Sequence, residues 1–278
     1  MYLSFDILDK DDFKRSLIKV ENCVMAIKRW MTTNMLKFNG DKTEVVFITS
    51  KFYQQNMTSS KFMVDETEVT PTKSTRNLGI IFDCTLSMDD HISAVCRSGN
   101  FQLRELGKIR KLITFDACSK LVHAFVTSRL DYGNSLLSGL PDRQINRLQR
   151  VLNTAARIVS LRPKFEHITP VLMDLHWLPV AQRIKFKVLL LAYQAYYGLA
   201  PSYLCEIFAH YEPKYNLRSS VKNNAVVNAT SVRYGDRAFH NYGPKLWNSL
   251  EPQLRQKQDS ESFKGAIKTL LFREAYAL

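Results

Sequence analysis

The sequence predicts an α+β protein in three parts: an α/β segment over residues 1–84, an all-α module over 85–211, and a linker with a small C-terminal module over 212–278. Three observations lead there. Strand-like runs are confined to the first part, long stretches with helical apolar spacing fill the second, and the positive charge is concentrated in that second part. With 278 residues and 45% hydrophobic content, the chain is long enough for one large domain or two ordinary ones and can bury a real core.

Tyr2–Phe5 reads as a strand running at once into an acidic helix start. Over residues 10–32, Phe13, Leu17, Val20, Val24, Ile27 and Met31 put one apolar stripe on a helix. A turn at Asn39-Gly40-Asp41 precedes "KTEVVFITSK", whose β-branched and aromatic run predicts a strand, and two short strands follow around Asp65-Glu66, with a third at Leu78–Phe82. From Ser87 the pattern is helical. Ser87, with Asp90 three residues on, predicts an N-cap for a helix marked by Ile92, Val95, Leu103, Leu106 and Ile109 and interrupted near Gly99.

Thr114 predicts the start of a second helix through Arg129, Pro141 that of a third to about Leu161, and Pro179–Tyr197 a fourth closed by Gly198 and Pro201. "DYGNSLLSG" and "RPKFEHITP" read as loops or short turns, and residues 212–232 as a linker. A last helix carries Phe263, Ile267, Leu270 and Leu271, with Ser260 as its expected cap.

The 39 basic and 26 acidic side chains give +13, unevenly spread: residues 1–94 carry 12 and 13, residues 95–200 carry 16 and 6, and residues 201–278 carry 11 and 7. A net +10 in the middle part is the footprint expected of a nucleic-acid or anionic-membrane partner. On the third helix, Arg143, Arg147, Arg150 and Arg157 fall on one face and Ile145, Leu148, Leu152, Ala155 and Val159 on the other, a row of guanidinium forks able to grip phosphates. Lys108, Arg110 and Lys111 form a second candidate patch.

Other chemistry is poorly supported. The five cysteines, Cys23, Cys84, Cys96, Cys118 and Cys205, form no CxxC pair and point to a reduced, intracellular setting, cytoplasmic or nuclear. Asp11-Asp12 and Asp89-Asp90 read as helix-start carboxylates stabilised by the helix dipole, and the six histidines as packing or surface residues. No GxxxxGK[ST], GxSxG or HExxH motif occurs, and no apolar run is long enough to span a bilayer, so no membrane partner is expected.

In chain order, "WMTTNMLKFNGDKTEVVFIT", "NLGIIFD", "DYGNSLL", "LHWLPVAQRIKFKVLLLAYQ", "APSYL", "YNLRSS" and "GDRAFHNYGPKLWNSL" resemble the C-terminal part of a non-LTR (LINE-type) retrotransposon reverse transcriptase. The resemblance covers essentially the whole chain. It implies a truncated palm over residues 1–84, a thumb that tracks the duplex over 85–211, and a chain that begins just past the hairpin turn carrying the catalytic Asp-Asp pair. By the same resemblance, Lys42 would protonate the departing pyrophosphate, although from the residues alone it is a surface lysine in a turn, and Leu78, Gly79 and Ile80 would belong to the primer grip.

The fingers and the metal-binding aspartates lie outside the match, so Mg²⁺ is expected only for an intact polymerase and no cofactor for this chain. The implied function is that of a C-terminal fragment of a retrotransposon-derived RNA-directed DNA polymerase, inactive as this chain and limited to binding RNA, DNA or an RNA–DNA hybrid through its basic helices. The alternative is half of an active enzyme, completed by an upstream fingers-palm fragment in trans or cut short by a truncated gene model.

Overall fold

Asp9 opens the first helix, α1 (Lys10–Thr33), by accepting the N–H groups of Asp11 and Asp12 at 2.8 and 3.1 Å. The computed structural model describes residues 9–50, 53, 62–64, 67–211, 223–228, 230 and 233–277; the expected strand Tyr2–Phe5 and the motif at Tyr215–Ser220 lie outside them. Along α1, Phe13, Leu17, Val20, Val24 and Met31 are half-buried, whereas Ile27 is exposed and Trp30 is 61% exposed. The predicted stripe is therefore real but only partly covered.

Residues 43–50, expected as a strand, form no ladder. The Thr49 N–H donates to the Cys84 carbonyl at 3.0 Å and the Val45 carbonyl accepts from Thr72 at 2.8 Å. β-propensity favours extended backbone, but a strand also needs a continuous partner. Two antiparallel hairpins do form: β1 (Phe62–Val64) with β2 (Thr67–Val69), around Asp65-Glu66 as expected, and β3 (Ser74–Asn77) with β4 (Ile80–Asp83). The strand expected at Leu78–Phe82 starts two residues late, because Leu78 and Gly79, at φ +47° and +84°, are the two-residue turn.

At the end of β4, the Asp83 carboxylate accepts from the N–H groups of Thr85, Ser87 and Met88 at 3.0, 2.9 and 2.6 Å and from the Thr85 and Ser87 hydroxyls. Burial pushes this carboxyl's pKa up, yet these hydrogen bonds outweigh it and hold the pKa below the ordinary value. Asp83 thereby organises the entry to α2 (Asp89–Ile109); Ser87, expected to cap the helix with Asp90, accepts instead from the Asp89 N–H at 3.3 Å through its Oγ, and Met88, the residue flanking the helix, is held at φ +61°. The helix is not interrupted at Gly99, where a Cβ would lie 2.8 Å from Val151 Cγ1, so this glycine serves close helix packing.

The chain divides into two units, residues 1–91 and 92–278. In the larger, the regular elements among the described residues are helices, apart from one isolated antiparallel bridge between His210 and Ala225. Thr114 caps α3 (Phe115–Val122), which continues through a π turn (His123–Thr127) into α4 (Ser128–Asp131). Next come α5 (Asp142–Ser160), α6 (Ile168–Asp174), which begins in the last three residues of the stretch expected as a loop, α7 (Val180–Tyr196) and α8 (Ser202–Glu206). The remainder is α9 (Arg233–Arg237), α10 (Phe239–Asn248), α11 (Pro252–Arg255) and α12 (Ser260–Tyr276). The cap of α12 is Asp259, which accepts from Ser262 at 2.6 Å, and Ser260 is the first helical residue.

Within the larger unit, α10 and α12 pack on α7 around Tyr193, Trp247 and Phe263. Tyr193 stacks on Phe263 with ring centroids 4.3 Å apart. Each such side chain contributes about 1.5–3 kcal/mol on full burial. Part of the expected linker is pinned here too. Asn248 clamps both backbone groups of Ala225 at 2.8 and 2.9 Å, and Trp247 Nε1 donates to the Asn223 carbonyl at 2.8 Å.

Candidate nucleic-acid interface

The apolar face of α5 fixes where its arginines can point. Leu148, Val151, Leu152, Ala155 and Val159 are at most 2% exposed, packing against α3, α6 and α7, so the side opposite this seam faces solvent. Helical spacing puts Arg143, Arg147, Arg150 and Arg157 within about a quarter turn of one another on that side.

The structure nevertheless separates the four. Arg143 and Arg150 are exposed. Arg147 is half-buried and donates to Ser93 Oγ of α2 at 2.6 Å. Arg157, also half-buried, donates through Nη2 to the Glu166 carbonyl at 3.2 Å. Cys96 of α2 lies close enough to feel both Arg147 and Arg150: burial pushes its thiol pKa up, and the two guanidiniums pull against that rise. One turn beyond Ser93, Arg97 is exposed, a cation that the sequence reading missed because α2 carries no arginine row.

The second candidate patch splits further. Arg110 is 7% exposed, and its guanidinium donates to the carbonyls of Ile158 at 2.8 Å, Val159 at 2.7 Å and Ile113 at 3.0 Å. It therefore caps the C-terminal carbonyls of α5 and is removed from any contact surface. Lys108 is exposed and paired with Glu105 at 2.8 Å, and Lys111 is exposed.

In the smaller unit, Lys42 ends a 3₁₀ turn (Gly40–Lys42) with an exposed side chain. Leu78 is 82% exposed at the hairpin tip beside Gly79, whereas Ile80 is buried in β4. Among the described residues, no group of three or more His, Cys, Asp or Glu side chains could hold a metal ion, and no helix is long and apolar enough to cross a membrane. Comparison of the chain with protein-family models, with curated proteins and with solved structures gives no match.

Proposed function

We propose that the helical unit binds the phosphate backbone of nucleic acid, RNA, DNA or a hybrid of the two, through the solvent face of α5. The observation that carries this reading is the pair of exposed arginines, Arg143 and Arg150, on one helix face of a segment with a net +10 charge. Arg97 adds to the same charge, and Arg147 buttresses it through Ser93. The resemblance of seven sequence motifs to those of retrotransposon reverse transcriptases supports a template-primer duplex as the ligand. In that reading the chain is a polymerase-derived binding fragment, and Lys42 retains its role only as the proposed proton donor of an intact polymerase.

Backbone contacts carry no direct sequence information, so affinity is expected to depend on salt and little on base sequence. Arg143→Gln with Arg150→Gln removes two contacts, and the slope of log affinity against log salt becomes shallower by about 1.4–1.8, at about 0.7–0.9 per phosphate. Fluorescence-anisotropy titrations of the full chain against an RNA–DNA hybrid and a DNA duplex, each from 50 to 200 mM salt, measure it. An unchanged slope in the double variant refutes the interface.

A further inference from the structure

A cleft of about 520 Å³ opens elsewhere in the helical unit, lined from the π turn, α4, the loop before α7, α7 itself and α12. Its size falls in the range of small-molecule sites, roughly 300–1,000 Å³. Three features distinguish it from a packing gap. First, Asn134 lines it at 3% exposure, and its Oδ1 is buried with no hydrogen-bond donor among the described residues. Leaving such an acceptor unpaired costs about 1–3 kcal/mol. The Nδ2 of the same amide reaches Asp131 only at 3.4 Å, a long bond that leaves the group free to turn its oxygen toward a bound donor.

Second, two lining residues have unusual backbone. His123 begins the π turn, a local insertion that recurs at functional sites, and His176 is held at φ +53°, which a non-glycine residue adopts at a cost. Third, the charge is arranged for an anion. Arg183 and Asp131 neutralise each other at 2.7 Å, whereas Lys187 of α7 and Lys268 of α12 are exposed and make no ion pair among the described residues. Trp177 and Phe186 supply apolar lining to the same cleft.

A ligand that satisfies all three carries negative charge, a flat apolar body and an N–H donor. We infer that the cleft is a nucleotide site: the phosphate lies between Lys187 and Lys268, the base lies along Trp177 and Phe186, and a base N–H donates to Asn134 Oδ1. Every natural base offers an N–H, so the cleft recognises a nucleotide without choosing among bases. The same chemistry is presented by a free nucleotide and by the phosphorylated end of a strand. The inference is independent of the arginine face.

Calorimetric titration of the full chain at 150 mM salt tests it, with AMP, CMP, adenosine, inorganic phosphate and 5′-phosphorylated and unphosphorylated oligo(dA) of four nucleotides as probes. AMP and CMP are expected to saturate one site with similar affinity, and adenosine and inorganic phosphate each to bind about tenfold more weakly or worse. Lys187→Gln with Lys268→Gln weakens AMP about tenfold or more and leaves adenosine unchanged, whereas Asn134→Leu weakens both. Both lysines are exposed, so an unchanged melting temperature in that double variant shows that its loss of binding is local. Arg143→Gln with Arg150→Gln leaves AMP binding untouched, which separates this site from the arginine face. Displacement of AMP by the phosphorylated but not the unphosphorylated oligonucleotide identifies a strand end as the source, and binding of AMP without displacement by either identifies the free nucleotide. The inference fails if AMP does not saturate below about 10 mM, or if the double lysine variant binds it as the wild type does.

Discussion

Arg110 shows how little a residue's type says about its role. Lys108, Arg110 and Lys111 read in sequence as one basic cluster, yet the middle residue turns inward and donates to three carbonyls. The desolvated guanidinium and the carbonyls at the end of α5 satisfy one another, so removing either leaves the other buried and unpaired. Arg110→Gln is expected to lower unfolding stability by roughly 1.5–3 kcal/mol, because hydrogen bonds to charged groups are worth about that much each and glutamine, with two N–H donors, can replace at most two of the three. Its salt slope for nucleic-acid binding stays at the wild-type value. Lys108→Gln and Lys111→Gln, both at exposed positions, shift stability by no more than about 0.5 kcal/mol. Urea unfolding of the three variants, read beside the anisotropy titrations, decides it: an Arg110→Gln protein as stable as wild type, or one with a shallower salt slope, contradicts the capping role.

At the level of elements, the Gly99 contact makes the packing of α2 against α5 testable. Alanine is the better helix former by about 1 kcal/mol, so an exposed glycine replaced by alanine would stabilise α2. A Cβ at position 99, however, meets Val151 Cγ1 at 2.8 Å, and Val151 is buried and stiff at χ1. Overpacking of this kind costs about 1–3 kcal/mol, so Gly99→Ala is expected to be neutral to destabilising by about 2 kcal/mol. The same substitution in a Val151→Ala background becomes stabilising relative to Val151→Ala alone, and additive effects in this double-mutant cycle would show that the helices do not touch there. The glycine also marks the limit of what the sequence makes legible. α1, α5, α7 and α12 could be placed because long apolar periodicity is a local signal. The role of Gly99 depends on Val151, 52 positions away, and the entry to α2 depends on Asp83, five residues before the backbone N–H of Met88 that it accepts. α10 escaped notice because Asn241, Gly243 and Pro244 sit within it and mask its period, while its Trp247 and Asn248 hold a segment more than twenty residues upstream. The arginine row was legible as a row. Which of its members face solvent was not, since that is decided by Ser93 and Glu166 on other parts of the chain.

Across the whole molecule, the two units differ in how much apolar surface they bury. In residues 1–91 the buried hydrophobic side chains among those described are Val69, Ile80 and Met88, and α1 leaves Ile18, Met25, Ile27 and Trp30 exposed. Residues 92–278 hold many more buried hydrophobic side chains, on α5 and α7 and beyond, including Leu148, Leu152, Val188, Tyr193, Trp247 and Phe263. Burial is the main stabilising term and each unit must offset its own chain entropy, so the smaller unit is expected to open at lower free energy. Native-state hydrogen exchange locates the difference. Amides of Val45–Ile48, in the extended segment without a ladder, should exchange through local opening at low denaturant, while those of Leu148–Val159 exchange only at the global unfolding free energy. Since the proposed phosphate contacts Arg143 and Arg150 lie in the larger unit, nucleic acid added in excess should raise protection of Leu148–Val159 through mass action and leave Val45–Ile48 almost unchanged. Equal protection of the two stretches in the free protein would show that the smaller unit is held by interactions beyond its own core. Protection by nucleic acid confined to Val45–Ile48 would move the contact surface away from α5 altogether.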